Sequence, residues 1–257
     1  VSPFVLMLIE IKRVMNRALK AMAPIMLIMV FAAGCNKPEG SNCSGNNNGD
    51  SIVDPNVNAH DYVDLGLPSG TLWATCNVGA DTPEEVGNYF AWGEIVPKDR
   101  YDWERYKYGD VVNQRFEMTK YCTDSCWGLN GYVDGLTVLE PIDDAATANW
   151  GADWRMPTKE EWEEVFQNTT CTLAVQNGVK GRLLTGSNGN SIFLPFTGFR
   201  LDGEFIGPSL GIYWSSSLHL GFSERGWSFH FDMDGCHVCG TYERSRGQVV
   251  RAVRVKK

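Results

Sequence analysis

Hydrophobic and polar residues alternate over short stretches through most of the chain after residue 59, which is typical of short antiparallel strands. The segment 227–233 (Trp-Ser-Phe-His-Phe-Asp-Met) places its aromatic residues and Met on one face and Ser, His and Asp on the other. A turn at 187–190 predicts a hairpin between 181–185 and 191–195. The residues 249–255 predict a closing strand.

Helix signals are fewer. Thr158 and Glu161 have the spacing of a capping box, in which each side chain bonds the backbone of the other residue. Apolar residues then follow at helical spacing and predict an inward stripe formed by Trp162, Val165 and Phe166. A second short helix is predicted over 143–149. Many short strands, two or so helices and long loops predict an α+β domain.

The N-terminal region predicts export. An apolar run at 21–33 follows Arg17 and Lys20, and it is long enough for a signal-peptide core but shorter than the roughly 20 residues of a membrane span. The run ends in Ala-Ala-Gly-Cys35, which resembles the cleavage site of bacterial lipoproteins. These residues predict a signal peptide at 1–34, for which Met15 is a more natural start than Val1.

Three regions follow from this interpretation. Cys35 would carry acyl lipid, and 35–58, rich in Asn, Ser and Gly, would form a flexible tether. Residues 59–257 would form one domain. Two or more acyl chains on Cys35 would hold the protein stably on a membrane. The outer membrane is predicted, with the domain facing either the periplasm or the outside.

The net charge limits the partners. The chain carries 31 acidic and 23 basic residues, a formal charge of −8 at pH 7. A nucleic-acid-binding protein would show a basic footprint instead, so no nucleic-acid partner is predicted.

Eight cysteines are typical of an exported protein rather than a cytosolic one. Within the domain, Cys122 and Cys126 lie four residues apart in a loop and could close on each other. Cys76 and Cys171 lie beside apolar segments and would either pair or be buried as thiols. The remaining pair, Cys236 and Cys239, would form a third disulfide or two thiols in a loop.

Several segments occur in the order found in one known family. They are 62–80 (Tyr-Val-Asp-Leu-Gly-Leu-Pro-Ser-Gly-Thr-Leu-Trp-Ala-Thr-Cys-Asn-Val-Gly-Ala), 87–94 (Gly-Asn-Tyr-Phe-Ala-Trp-Gly-Glu), 148–151, 154–162 (Trp-Arg-Met-Pro-Thr-Lys-Glu-Glu-Trp), 189–195, 213–217 and 250–254. Together they resemble the Fibrobacter succinogenes major paralogous domain, which is abundant in Bacteroidetes lipoproteins. The resemblance covers about 60–257.

The segment 155–162 is also similar to the Arg-Leu-Pro-Thr-x-x-Glu-Trp pattern of the formylglycine-generating and sulfatase-modifying superfamily. That superfamily has a fold related to C-type lectins, so the resemblance implies a C-type lectin-like α+β fold. It implies no established activity. The Glu-Pro-Asn and Trp-Asn-Asp motifs that bind calcium in C-type lectins do not occur in the sequence, so the sugar site is not carried over with the fold.

An enzyme is the alternative interpretation. Formylglycine-generating enzymes use two C-terminal cysteines, and Cys236 and Cys239 lie in the corresponding region, although closer together than that pattern requires. A copper-dependent oxidoreductase or a metal-dependent hydrolase would be centred on this pair. The weak candidate metal ligands are His230, Asp232, Cys236, His237 and Cys239. A single Cys-x-x-Cys is a weak zinc signal, so no cofactor is predicted apart from the acyl lipid on Cys35, while calcium and copper stay open.

Aromatic residues supply the hypothesis for binding. Six of them fall in long, polar, loop-like segments where rings stack on glycans or anchor a protein partner: Trp92, Tyr101, Trp103, Tyr106, Tyr108 and Trp127. The competing interpretation is that a loop-rich domain uses these rings to build its core. The sequence therefore predicts a lipid-anchored binding or adhesion module for an extracellular glycan or protein, with no catalytic residue assigned.

Overall fold

A computed structural model gives the fold of residues 60–113 and 115–255. The predicted signal peptide (1–34), Cys35 and the tether (35–58) lie outside the described residues. Within the described ranges, neither helix has the length and apolar character needed to cross a membrane.

Short strands carry most of the regular structure, and every pair of neighbouring strands within a sheet is antiparallel. The strands are β1 (Tyr62–Asp64), β2 (Thr71–Asn77), β3 (Gly109–Val112), β4 (Arg115–Met118), β5 (Thr169–Gln176), β6 (Val179–Gly186), β7 (Ser191–Pro195), β8 (Phe199–Leu201), β9 (Glu204–Ile206), β10 (Gly211–Leu218), β11 (Arg225–Phe231), β12 (Cys236–Glu243) and β13 (Arg251–Val255). The helices are α1 (Ala145–Trp150) and α2 (Lys159–Asn168), with 3-10 turns at Trp103–Arg105, Leu129–Gly131 and Pro141–Asp143. This confirms the α+β class.

The strands form three small sheets and two hairpins. The sheets have the orders β1-β2-β13, β5-β6-β7 and β10-β11-β12, and the separate hairpins are β3-β4 and β8-β9. The predicted hairpin is confirmed, since β6 and β7 pair from Gly181 with Pro195 to Thr185 with Ser191. The predicted closing strand is also present, because β13 returns to pair with β2.

The capping box of α2 is confirmed and extended by an ion pair. The Thr158 hydroxyl accepts from the Glu161 amide at 3.3 Å, and the Glu161 carboxylate accepts from the Thr158 amide at 2.9 Å. Arg155 forms a bidentate ion pair with Glu161 at 2.7 and 2.6 Å. Glu161 also accepts from the Thr71 hydroxyl at 3.1 Å, which joins the start of α2 to β2. The segment that carries the family resemblance therefore fastens a helix to a sheet.

The inward stripe of α2 is confirmed at Trp162 and Val165, which are buried, while Phe166 is partly buried. The Trp162 ring stacks on Phe229 of β11 with centroids 4.6 Å apart and lies 4.5 Å from Trp73 of β2. This packing places α2 against strands of two sheets. Ser228 of β11 is buried as well, so the predicted polar face of this strand does not face solvent throughout.

The predicted second helix is shorter than expected. Asp144 caps α1 by accepting from the Ala146 and Thr147 amides, each at 2.9 Å, and its other oxygen accepts from the Met156 amide at 2.8 Å. The helix therefore begins at Ala145.

Arg251 connects the closing strand to its neighbours and is fully buried. Its guanidinium donates to the Asn77 side chain at 2.8 Å, to the Thr75 carbonyl at 2.6 Å and to the Phe193 carbonyl at 3.0 Å. One side chain of β13 thus binds both β2 and β7. Burial lowers the pKa of Arg251 below its ordinary value.

Candidate functional site

Four of the six aromatic residues predicted to contact a ligand are buried. Trp92, Tyr101, Trp103 and Tyr106 are 0%, 2%, 9% and 4% exposed. The polar atoms of two of them find acceptors inside the domain: Trp92 Nε1 donates to the Ser215 carbonyl at 2.8 Å, and the Tyr106 hydroxyl donates to the Trp92 carbonyl at 2.7 Å. The prediction that these four rings face a ligand is wrong, because the loops that carry them fold inward and form part of the core.

Two of these buried rings, together with Tyr121, surround an arginine. The Arg244 guanidinium lies 4.8 Å from the Trp92 ring, 5.2 Å from Tyr106 and 5.8 Å from Tyr121, within cation–π range. Arg244 is fully buried, and its Nε donates to the Tyr106 hydroxyl at 2.7 Å. Among the described residues it has no carboxylate partner. The aromatic faces and neutral oxygens therefore stabilise its charge.

The remaining donors of Arg244 hold two loops together. Nη1 donates to the Tyr121 carbonyl at 3.2 Å and to the Ser223 carbonyl at 2.9 Å, and Nη2 donates to the Lys120 carbonyl at 3.1 Å. The first loop, 120–128, carries Trp127, and the second, 219–224, joins β10 to β11. A buried guanidinium therefore sets the separation of the two loops.

A row of partly exposed rings lies where these loops meet. The centroids of Trp127 and Phe222 are 6.1 Å apart, those of Phe222 and His219 are 5.3 Å apart, and those of His219 and Trp227 are 5.0 Å apart. Phe222 is 49% exposed, and the other three are partly exposed. The Lys159 ammonium lies 4.8 Å from the Trp227 ring. We call Trp127, Phe222, His219 and Trp227 the aromatic row.

Backbone hydrogen bonds fix the loop 219–224, which carries two of the four rings of the row. The His219 amide donates to the Arg225 carbonyl at 3.0 Å, and the Arg225 amide donates to the Phe222 carbonyl at 2.9 Å, so the chain folds back tightly on itself. From the other loop, the Thr123 hydroxyl donates to the Leu220 carbonyl at 3.2 Å. The rings are consequently held on a scaffold in which little backbone freedom remains to be lost on binding.

Trp127 is fixed in the same way. Its amide donates to the Asp124 carbonyl at 3.0 Å, and its carbonyl accepts from the Met118 amide at 2.6 Å. Of the six predicted aromatic residues, Trp127 is the one that the structure places in the aromatic row.

The surroundings of the row favour uncharged rings. Burial and the nearby Arg225 cation lower the pKa of His219, which favours its neutral imidazole. Lys159 forms an ion pair with Glu163 at 2.8 Å. Burial raises the pKa of Glu224, the last residue of the loop 219–224. These features suit contact with an uncharged ligand face better than capture of a strongly charged group.

Tyr108, the sixth predicted residue, belongs to an ion-pair cluster rather than to the row. Its hydroxyl donates to the carboxylate of Asp143, which is buried beneath it. Asp143 also accepts from Lys107 at 3.1 Å, Lys120 at 2.7 Å and the Tyr121 hydroxyl at 2.8 Å. Although burial opposes ionisation, these four donors lower the pKa of Asp143 to about 2. The hydroxyl of Tyr108 is therefore already used within the protein.

The disulfide pairing differs from the predicted one. Cys171 of β5 is bonded to Cys236 of β12, with Cα atoms 6.4 Å apart, so the Cys76–Cys171 and Cys236–Cys239 pairs do not form. Cys76 is a buried thiol, which is the alternative that the sequence left open for it. The Cys239 side chain lies outside the described residues. The possible Cys122–Cys126 bond does not form either, because Cys122 is a buried thiol that donates to the Asp124 carbonyl at 3.2 Å and Cys126 is an exposed thiol. The real bridge joins two sheets, which sequence spacing does not reveal.

The candidate metal ligands are only partly brought together. The His230 and His237 rings stack with centroids 5.1 Å apart, and His237 Nε2 lies 3.1 Å from the Asp232 carboxylate. Cys236 is held in the disulfide and offers no thiolate. Within the described residues, no group of three or more His, Cys, Asp and Glu side chains is arranged to hold a metal ion.

Sequence reasoning missed three members of the row. His219 and Phe222 lie in a loop whose folding cannot be predicted from local pattern, and Trp227 was expected on the apolar face of its strand. The sequence held one indication of this patch, because the apolar residues Leu220 and Phe222 occupy a turn between two strands. In the structure they are 64% and 49% exposed. Apolar side chains at a turn mark an exposed patch rather than a core.

Comparison with known proteins gives no relative from which roles could be transferred. No family model, no curated protein and no solved structure matches the chain. The assignment of the aromatic row therefore rests on the geometry of this chain.

Proposed function

We propose that this protein is a lipid-anchored binding or adhesion module of the cell envelope, and that the aromatic row contacts its ligand, an extracellular glycan or protein. The observation that carries the proposal is the row itself: four partly exposed rings in successive contact, held by two hydrogen-bonded loops and by strand β11. Exposed, rigid aromatic side chains provide contact area at low entropic cost.

The anchor and the finer fold belong to the same proposal. The residues before Cys35 support acylation at that cysteine and attachment to the outer membrane. The order of segments from 62 to 254 supports membership of the Fibrobacter succinogenes major paralogous family with a C-type lectin-like fold. The observed small antiparallel sheets, two helices and long loops are compatible with that fold.

The enzyme alternative has less support. It was centred on Cys236 and Cys239 as a reactive pair, but Cys236 is bonded to Cys171. A cysteine in a structural disulfide is neither a nucleophile nor a metal ligand. The binding module is therefore the better-supported proposal.

The ligand class is tested by displaying the acylated full chain on vesicles and applying it to a glycan array and to immobilised extracellular matrix proteins. Phe222→Ala and Trp227→Ala should weaken binding at least tenfold, which corresponds to about 1.4 kcal/mol. Phe205→Ala is a matched control, because Phe205 is 45% exposed in the separate β8-β9 hairpin. Equal binding by wild type and both row variants would contradict the role of the row.

The anchor is tested by mass spectrometry of the N-terminal peptide after expression in a bacterium with lipoprotein processing. The expected peptide begins at Cys35 and carries acyl chains, and Cys35→Ser should release the protein from the membrane fraction. A mature protein without acyl chains on Cys35 would refute the anchor but not the role of the aromatic row.

A further inference from the structure

The strand β5 lies at the edge of its sheet. The order of that sheet is β5-β6-β7, and β5 pairs with β6 through eight consecutive residue pairs without a register shift. The connecting turn is Asn177-Gly178, with φ of 47° and 84°, as a two-residue hairpin turn with both central residues at positive φ requires.

The hydrogen bonds that β6 makes toward β7 show which backbone groups of β5 point away from β6. The Lys180 carbonyl accepts from the Phe196 amide at 3.1 Å, and the Gly186 amide donates to the Asn190 carbonyl at 2.9 Å, so both β6 residues bond toward β7. Their partners on β5 are Val175 and Thr169. In an antiparallel ladder bonded pairs alternate with non-bonded pairs, so the backbone groups of Leu173 and Val175 point away from β6.

This edge has none of the usual protection against pairing. The sequence of β5, Thr-Thr-Cys-Thr-Leu-Ala-Val-Gln, has no charged residue and no proline, and its register contains no bulge. Leu173 is 47% exposed and Val175 is 63% exposed. No hydrogen bond to their outward backbone groups is present among the described residues. The Cys171–Cys236 bond fastens one end of the strand, and Glu84 bonds the side chains of Gln176 and Asn177 at the other end. Leu173 and Val175 lie between these two points.

We propose that the edge of β5 is an interface at which a second copy of this chain adds its own β5 in antiparallel orientation. Donors and acceptors that recur every second residue are complementary to an extended polypeptide backbone. The two copies would form one continuous six-stranded sheet. The pairing closes at two copies because the β5 edge of each copy is then occupied by the β5 of the other.

The sequence of β5 favours itself as the partner. Antiparallel pairing about a two-fold axis at Leu173 places Leu173 opposite its own copy and Cys171 opposite Val175, so apolar side chains meet on one face. The chain carries a net charge of −8, which opposes association of copies over most of the surface. An uncharged strand avoids that repulsion at the point of contact.

The test is a charge-exchange experiment with the full acylated chain in excess detergent, measured by sedimentation velocity over a concentration series. Wild type should form a dimer. Leu173→Lys and Leu173→Glu should each raise the dissociation constant at least tenfold, because like charges would face each other across the axis. An equimolar mixture of the two variants should recover a dimer, because Lys then faces Glu.

Two controls keep the result interpretable. Ile142→Lys changes an apolar side chain that is 72% exposed on another element and should dimerise like wild type. Intact-mass measurement of the Cys171–Cys236 bond should show that every variant is folded. A monomeric wild type across the series, dimers unaffected by Leu173→Lys, or a mixture that stays monomeric would each overturn the proposal.

Discussion

Replacing Arg244 with methionine should destabilise the domain strongly, although Arg244 forms no ion pair among the described residues. Its side chain is fully buried and makes four hydrogen bonds between 2.7 and 3.2 Å. Methionine fills a similar volume but donates no hydrogen bond. The carbonyls of Lys120, Tyr121 and Ser223 would then lose their donor in the interior.

The expected loss follows from these contacts. Each buried carbonyl left without a donor costs about 1–3 kcal/mol. Removing the guanidinium also relieves the cost of burying a charge, which offsets part of that loss. A net loss of about 3–5 kcal/mol is expected, a large share of the 5–15 kcal/mol typical of folded proteins. For a domain of this size the melting temperature should fall by about 10 °C.

The assay is urea unfolding followed by tryptophan fluorescence, because Trp92 lies against the replaced side chain. Arg246→Met is the matched control: Arg246 is partly exposed, pairs with Glu243 at 3.0 Å and should contribute less than about 1 kcal/mol. If both variants lost the same small free energy of unfolding, Arg244 would not organise the two loops. Ligand binding by the aromatic row should also weaken in Arg244→Met, because the loops would no longer be held together.

Three further predictions concern other parts of the domain. The pKa of Asp143 is about 2 against an ordinary 3.8, so its ionisation stabilises the folded state by about 2 kcal/mol. This contribution is present above about pH 4 and is lost as the pH falls toward about 2. When the free energy of unfolding is measured by urea titration at each pH, Asp143→Asn should lose less stability than wild type over this range. Alkylation without reduction should leave Cys171 and Cys236 unlabelled, and labelling of Cys171 would refute the bridge. Cys236→Ser should lower the free energy of unfolding in urea by about 4 kcal/mol, because the bond closes a loop across a separation of 65 residues. Glu161→Ala removes the Glu161 half of the capping box and the ion pair of α2, and it should cost about 2 kcal/mol in calorimetry. The exposed Glu160→Ala should stay within about 0.5 kcal/mol, and equal effects would contradict the capping role.

Features encoded by neighbouring residues were predictable. The capping box of α2 depends on side chains three residues apart, and the β6-β7 hairpin depends on one turn and two alternating segments. In both cases the competing local structures are few, so the pattern identifies the element. The same holds for the α+β class, which follows from counting such segments.

Features that depend on distant contacts were not predictable. Trp92 and Tyr106 lie in polar loops, and only the packing of Arg244, more than a hundred residues later, explains why they are buried. The Cys171–Cys236 bond likewise depends on the approach of two separate sheets. Local composition describes the neighbours of a side chain in sequence, whereas burial depends on its neighbours in space.

This difference also bears on the family resemblance. In the segment 154–162, Arg155, Glu161 and Trp162 are all used in folding, by an ion pair, a cap and a stacked ring. A segment with these roles can recur in proteins that bind different ligands, because its side chains are turned toward the protein itself. Three rings of the aromatic row lie instead on two loops, and the fourth, Trp227, lies on β11, all outside the segments that carry the resemblance. Loops on a fixed scaffold can change their ligand without changing the fold, so specificity in this protein should follow 120–128 and 219–224 rather than the segments that carry the resemblance.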